Sequence, residues 1–150
     1  MSDAQKLAER VVGGMMAKDA FRQWLGIEIV AIAPDASTVR MTVRPEMVNG
    51  FGVAHGGIAY SLADSALAFA SNAHGHITVA IDNSISYPAP VNVGDVLTAT
   101  AVMESTSRRL SFLKVTVTKQ KNVTVAVFKG TVYKTEKPHD TTLPRSHAPT

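Results

Sequence analysis

The chain contains no cysteine, which excludes disulfides and thiolate chemistry and fits a cytoplasmic setting. It also has no long unbroken apolar run. Its greasiest tract, rich in alanine, is interrupted by Asp64, so no membrane span is expected. The first twenty residues carry Asp3, Lys6, Glu9, Arg10, Lys18 and Asp19, which is no secretory leader. Internal repeats, low-complexity blocks, Walker-type or dinucleotide glycine patterns and a Gly-x-Ser-x-Gly elbow are all missing. His74-Gly75-His76 has no carboxylate or third ligand close in sequence. It reads as punctuation at a helix end, and no metal is expected. Aromatic residues are scarce, at 6%, and the basic residues lack aromatic interleaving beyond Phe112, Phe128 and Tyr133, which argues against nucleic-acid binding.

What remains is ordinary globular material. With 150 residues, 45% hydrophobic and 18% charged, residues 1–150 are expected to form a single domain with a real core. The net charge of +3 is unevenly spread. Residues 1–100 hold six Lys+Arg against nine Asp+Glu, whereas residues 101–150 hold nine against three. A basic second half suits a phosphorylated ligand, although lysines on exposed strand faces give the same count.

Hydrophobic periodicity predicts a helix over 4–24, within an N-terminal segment 1–25, marked by Leu7, Val11, Val12, Met15, Met16, Phe21 and Trp24. Gly13-Gly14 weakens its middle and Gly26 ends it. Strands are expected at 27–32 and 37–44, joined by Pro34-Asp35. In the second, Val39, Met41 and Val43 alternate with polar neighbours, which gives one buried and one wet face. After a loop to Ala54, a helix is expected from Gly56 to Ala73, and then four strands at 78–87, 96–105, 110–118 and 123–133. Residues 137–150, with three prolines, read as a frayed tail. The order indicates an α+β fold, one antiparallel sheet curling around the long helix. Ala59, Ala63, Ala66, Ala70 and Ala73 let the sheet come close.

Within that helix Asp64 is the exception. Ile58, Leu62, Ala63, Ala66, Leu67 and Ala70 form an apolar set widened by Tyr60 and Phe69, so the acid is expected to be buried without a partner. An unpaired buried carboxylate is costly, and a group retained at that cost points to chemistry. The helix opens on His55-Gly56-Gly57, whose bare amides can bind a developing negative charge. Together these features suggest acyl transfer.

Asn49-Gly50, His55-Gly56-Gly57 and Ser61-Leu62-Ala63-Asp64 resemble the hotdog-fold acyl-CoA thioesterases, most closely the phenylacetate-degradation type. The resemblance covers roughly residues 20–135. It implies a hotdog fold and hydrolysis of an acyl-CoA, with Asp64 as nucleophile or general base. It further implies that Gly56 N–H holds the thioester oxygen and that Asn49 and His55 give polar support. No cofactor is implied beyond the coenzyme A of the substrate. Where some relatives place Ser or Thr one turn after the acid, this chain has Ala68, and where others carry a hydroxyl on the next strand it has Ala80. Ser65 and Ser84 are the nearby hydroxyls. The resemblance also implies a tetramer built from two dimers.

A geometric argument narrows the site independently. Gly56 and Asp64 are eight residues apart on one helix, which is about 12 Å at 1.5 Å per residue. A reacting carbonyl must lie within about 3 Å of both attacker and oxyanion donor. One chain cannot supply both, so a homodimer with two composite sites is expected. Gly57 is a candidate to bind substrate through its amide, Val48, Phe51, Leu62 and Phe69 are candidates to line the acyl slot, and Arg108, Arg109 and Lys137 to hold the phosphates. The alternatives in sequence terms are a hotdog hydratase or dehydratase and a non-catalytic acyl-CoA-binding protein.

Overall fold

The computed structural model describes residues 1–141. Helix α1 (Asp3–Ala17) begins where the Ser2 hydroxyl accepts from Gln5 N–H at 3.1 Å. It buries Ala8, Val11 and Val12. The single helix expected over 4–24 is in fact two. The break falls at Lys18-Asp19 rather than at Gly13-Gly14, because the Asp19 carboxylate accepts from Arg22 N–H at 2.9 Å and caps a new helix, α2 (Ala20–Leu25). Gly26 closes α2 at φ +75, as an αL terminator should.

Strands β1 (Glu28–Ala33) and β2 (Ala36–Thr42) form a hairpin through Pro34-Asp35. The expected alternation holds in β2: Val39 and Met41, and Val43 just beyond it, are buried while Arg40 and Thr42 face out. A 3-10 turn (Pro45–Met47) and a loop then lead to α3 (Gly56–Asn72). The chain continues through β3 (His76–Ser86), β4 (Val96–Thr106), β5 (Leu110–Lys119), a 3-10 turn (Gln120–Asn122) and β6 (Val123–Pro138).

All six strands join one antiparallel sheet in the order β1-β2-β4-β5-β6-β3. The crossover through α3 carries the chain from β2 to the far side, so β3 becomes an edge strand. The sheet wraps α3, whose Leu62, Ala63, Ala66, Leu67, Phe69 and Ala70 are buried against Val39, Leu97, Val115 and Phe128. This is the α+β architecture that the periodicities indicate. Small residues set the spacing: a Cβ on Gly130 of β6 would lie 2.1 Å from Leu67 Cδ1. Ser37 Oγ donates to Ala66 O at 2.6 Å, pinning β2 to the helix.

The expected tail starts later than 137. β6 runs to Pro138, and His139 docks beyond it, with its N–H donating to Gly75 O and its Nε2 2.7 Å from Asn72 Oδ1. The remainder of that tail, 142–150, lies outside the described residues. Among the described residues no helix is long and apolar enough to cross a membrane, and no group of His, Asp and Glu could hold a metal ion.

Candidate functional site

α3 starts on an imidazole. His55 Nδ1 accepts from Gly57 N–H at 2.9 Å and so acts as the helix cap. The Gly57 amide is therefore engaged within the turn, which corrects its expected place as a free ligand donor. Gly56 N–H has no acceptor among the described residues and is the open amide at the positive end of the helix. Tyr87 Oη donates to Gly56 O at 2.8 Å and clamps the turn onto the chain just past β3. A cavity of about 140 Å³, lined by His55, Gly56, Ala59 and Tyr87, opens beside this turn.

Asn49 builds the approach. Its Oδ1 accepts from Phe51 N–H at 2.9 Å, while its N–H donates to Val53 O at 2.8 Å. The residue is thus engaged as a turn former. Phe51, at the loop tip, is 93% exposed.

Asp64 is eight residues beyond Gly56 on the same continuous helix, so the 12 Å spacing argument applies to the folded chain. The acid is half-buried rather than enclosed. Gly57, Ser61, Asp64 and Ala68 form a stripe at helical spacing that the chain leaves partly open. The acid has partners that sequence did not supply. Asn83 Nδ2 of β3 is 3.5 Å from Asp64 Oδ1, and the Arg22 guanidinium of α2 attracts its charge. Desolvation pushes the Asp64 carboxyl above the ordinary aspartate range, while Arg22 and Asn83 pull it back.

Neither nearby hydroxyl reaches the acid. Ser65 is buried, donates to Ser61 O at 2.7 Å and accepts from Arg22 Nε at 2.9 Å. Ser84 is exposed, on the opposite side of β3 from Asn83. Leu62 and Phe69 also need correction as slot-lining residues. Both are fully buried in the core, Phe69 beneath the Arg22 guanidinium at 5.1 Å. Val48 is half-buried, bridged to Ala54.

A cavity of about 450 Å³ is at the other end of α3. Arg108, Arg109 and Lys134 line it together with His74, Thr106 and Ser111. Lys137, expected there, is not among its walls; it is exposed near the end of β6, where its N–H donates to Thr135 Oγ1. Arg109 donates to Tyr133 Oη at 3.1 Å and Lys134 Nζ to Thr106 Oγ1 at 2.8 Å. Asp35 and Glu136 are the acids of the lining, and Asp35 is paired with His74. From Ser71 in this cavity back to Asp64 is about 10 Å of helix, and to Gly56 about 22 Å.

A carboxylate on the open stripe of a sheet-wrapped helix, with a free amide at the start of that helix, is the arrangement the sequence motif implies. The thioesterase superfamily pattern matches residues 51–126, which span both groups. The chain belongs to that superfamily, among the acyl-CoA thioesterases of the PaaI type. The acyl-coenzyme A thioesterase PaaI of Escherichia coli is 37% identical over 116 residues, covering 77% of this chain and 83% of that protein. The structure of the E. coli PaaI protein from the phenylacetic acid degradation operon superimposes with a TM-score of 0.88 at 32% identity, over 91% of this chain and 99% of that one. A Streptococcus mutans protein bound to acetyl CoA has a TM-score of 0.72 at 27% identity, over 75% and 91% of the two chains. The fold is therefore the hotdog fold and the activity is hydrolysis of acyl-CoA thioesters.

Sequence reasoning missed Asn83, Arg22, Tyr60 and Tyr87. Alternation along β3 places Asn83 and Ile85 on the inner face, and it was the only available hint.

Proposed function

We propose that this enzyme hydrolyses phenylacetyl-CoA or a ring-hydroxylated relative, in the cytoplasm, at composite sites shared between two copies of the chain. One observation carries the composite reading: the carboxylate and the free amide are eight residues apart on one straight helix. The open stripe around Asp64 and the edge of β3, where Val79 is 47% and Ile81 57% exposed, are the surfaces a second copy would cover. An unpaired strand edge is a ready template for pairing. A two-fold axis there would lay two α3 helices antiparallel and bring Asp64 of each toward Gly56 of the other. Two such dimers would make the tetramer.

At that site the thioester oxygen accepts the Gly56 hydrogen, and the helix end stabilises the oxyanion. Asp64 takes a proton from water as the water oxygen bonds the carbonyl carbon, the C–S bond breaks and the proton passes to the departing thiolate. Alternatively Asp64 attacks that carbon directly, the C–S bond breaks to leave a mixed anhydride and the thiolate, and water then cleaves the anhydride, releasing the acid and its proton and freeing Asp64. Burial favours this chemistry, because a raised carboxyl pKa makes a stronger base. Thiolate leaves readily, so no strong acid is required. Arg108, Arg109 and Lys134 are suited to the coenzyme A phosphates, within reach of its pantetheine arm from Asp64 of the same chain.

The aryl preference is supported by likeness to PaaI. A free-thiol release screen across aryl and aliphatic CoA esters tests reaction and preference together. Fastest turnover of phenylacetyl-CoA is expected; preference for medium-chain aliphatic esters would overturn the aryl assignment, and no thiol release from any ester would overturn the activity.

A further inference from the structure

The inner face of β3 meets α3 along a polar seam that the proposed mechanism leaves unused. Asn83 Nδ2 lies 3.1 Å from Tyr60 Oη and 3.5 Å from Asp64 Oδ1. The Tyr60 ring is fixed edge-on to Phe128, with centroids 5.3 Å apart, so one arm of the amide rests on a rigid partner. Space for the amide comes from Gly130, its sheet partner on β6. A Cβ at Gly130 would come within 2.7 Å of Asn83 Oδ1.

The amide itself is placed at a cost. Asn83 Oδ1 is buried with no hydrogen-bond partner, and such groups are rare and unfavourable. A leucine has the same branched heavy-atom shape without that penalty. What the amide contributes instead is an N–H aimed at a carboxylate. Its orientation follows from chemistry, because the reversed amide would set its oxygen against Asp64 Oδ1, acceptor against acceptor. The remaining groups around the acid are Arg22, itself paired with Asp19 on α2, and Tyr60 on α3.

We propose that Asn83 is a positioning residue for the reaction, holding Oδ1 of Asp64 with Tyr60 as its brace, so that Oδ2 is presented to the thioester or its attacking water. This gives β3 the orienting task for which Ala68 and Ala80 have no polar atom. The inference rests on Asp64 being the reacting carboxylate.

The test compares the intact enzyme with Asn83→Leu, Tyr60→Phe and an outward-facing control on the same strand, Ser86→Ala. Two readouts are used: CoA-ester hydrolysis against pH, and titration of the Asp64 carboxyl carbon by NMR, assigned through Asp64→Asn. Asn83→Leu is expected to fold, to lower kcat at least about tenfold with KM within about threefold, and to shift the Asp64 titration and the acid limb of the rate profile to higher pH. That direction follows because the lost N–H favoured the charged form. Tyr60→Phe is expected to move both readouts the same way by less, and Ser86→Ala neither. An Asp64 titration unmoved by Asn83→Leu, or kcat unchanged in that variant, would overturn the proposal. If the titration moves but no ester is hydrolysed even by the unaltered protein, the hold on Asp64 stands and the thioesterase reading fails.

Discussion

His55 Nδ1 accepts the amide hydrogen of Gly57 at 2.9 Å, so the ring at the start of α3 is committed to holding a turn. That commitment separates two roles for the imidazole. Asparagine caps helices well, through a side-chain oxygen that can accept from the same amide. His55→Asn is therefore expected to keep most of the activity. His55→Ala is expected to lose about 1 kcal/mol of stability and to lower kcat/KM by roughly tenfold as the Gly56 amide drifts. Equal losses in both variants would mean that the ring moves protons. Chemical denaturation and steady-state kinetics on the pair decide it.

Asp64 should carry a stability penalty as well as the chemistry. Desolvation raises its folded pKa above the ordinary aspartate value of 3.8, so the native state binds more protons than the unfolded state between those two values. Stability then falls as pH rises through that window. Asp64→Asn is expected to lose at least about a hundredfold in turnover yet to melt higher than the parent at pH 7. The difference in Tm should shrink as pH drops toward 3.8. Thermal scans from pH 3 upward, alongside thiol release, check both halves.

A shared site predicts rescue between two dead proteins. Asp64→Asn retains a good Gly56, and Gly56→Pro, which lacks the amide hydrogen, retains a good Asp64. Mixed and refolded in equal amounts, about half the dimers would be hybrids, each with one intact site of two. Activity should return to about a quarter of the parent level. No recovery, with hybrids demonstrated by mass spectrometry, would place the whole site within one chain.

Gly130→Ala should be one of the most damaging single-methyl additions in the chain. The new carbon would fall 2.1 Å from Leu67 Cδ1 and 2.7 Å from Asn83 Oδ1. Overpacking of this kind costs about 1–3 kcal/mol. Urea denaturation is the check. Alanine at Gly13 or Gly14 is the contrast, because nothing lies within 4 Å of a Cβ there and helix propensity should make the change favourable.

How far the sequence reached follows from the range of the forces involved. Short-period signals were readable: the α3 pattern, the Val39-Met41-Val43 alternation, the Gly26 stop and the His-Gly-Gly turn with its acid. Local capping competition was misjudged, since Asp19 breaks the N-terminal helix and two glycines do not. Contacts across the fold were out of reach. Asn83 finds Asp64 only because β3 pairs with β6 on the far edge, with a register shift between Ala80 and Asp82. Arg22 reaches the acid's neighbour Ser65 only because α2 folds back over α3. Leu62 and Phe69 look like slot-lining residues on a helical wheel, yet the sheet closes over both.

The bare flank of β3 has a consequence for the life of a newly made subunit. An edge strand of eleven residues beside exposed Val79 and Ile81 is a template for extended segments. In the proposed dimer a second copy seals that margin, so soluble yield should depend on how quickly two copies meet. A charged residue placed at Ile81 would be expected to trade enzymatic output for dispersal of single subunits.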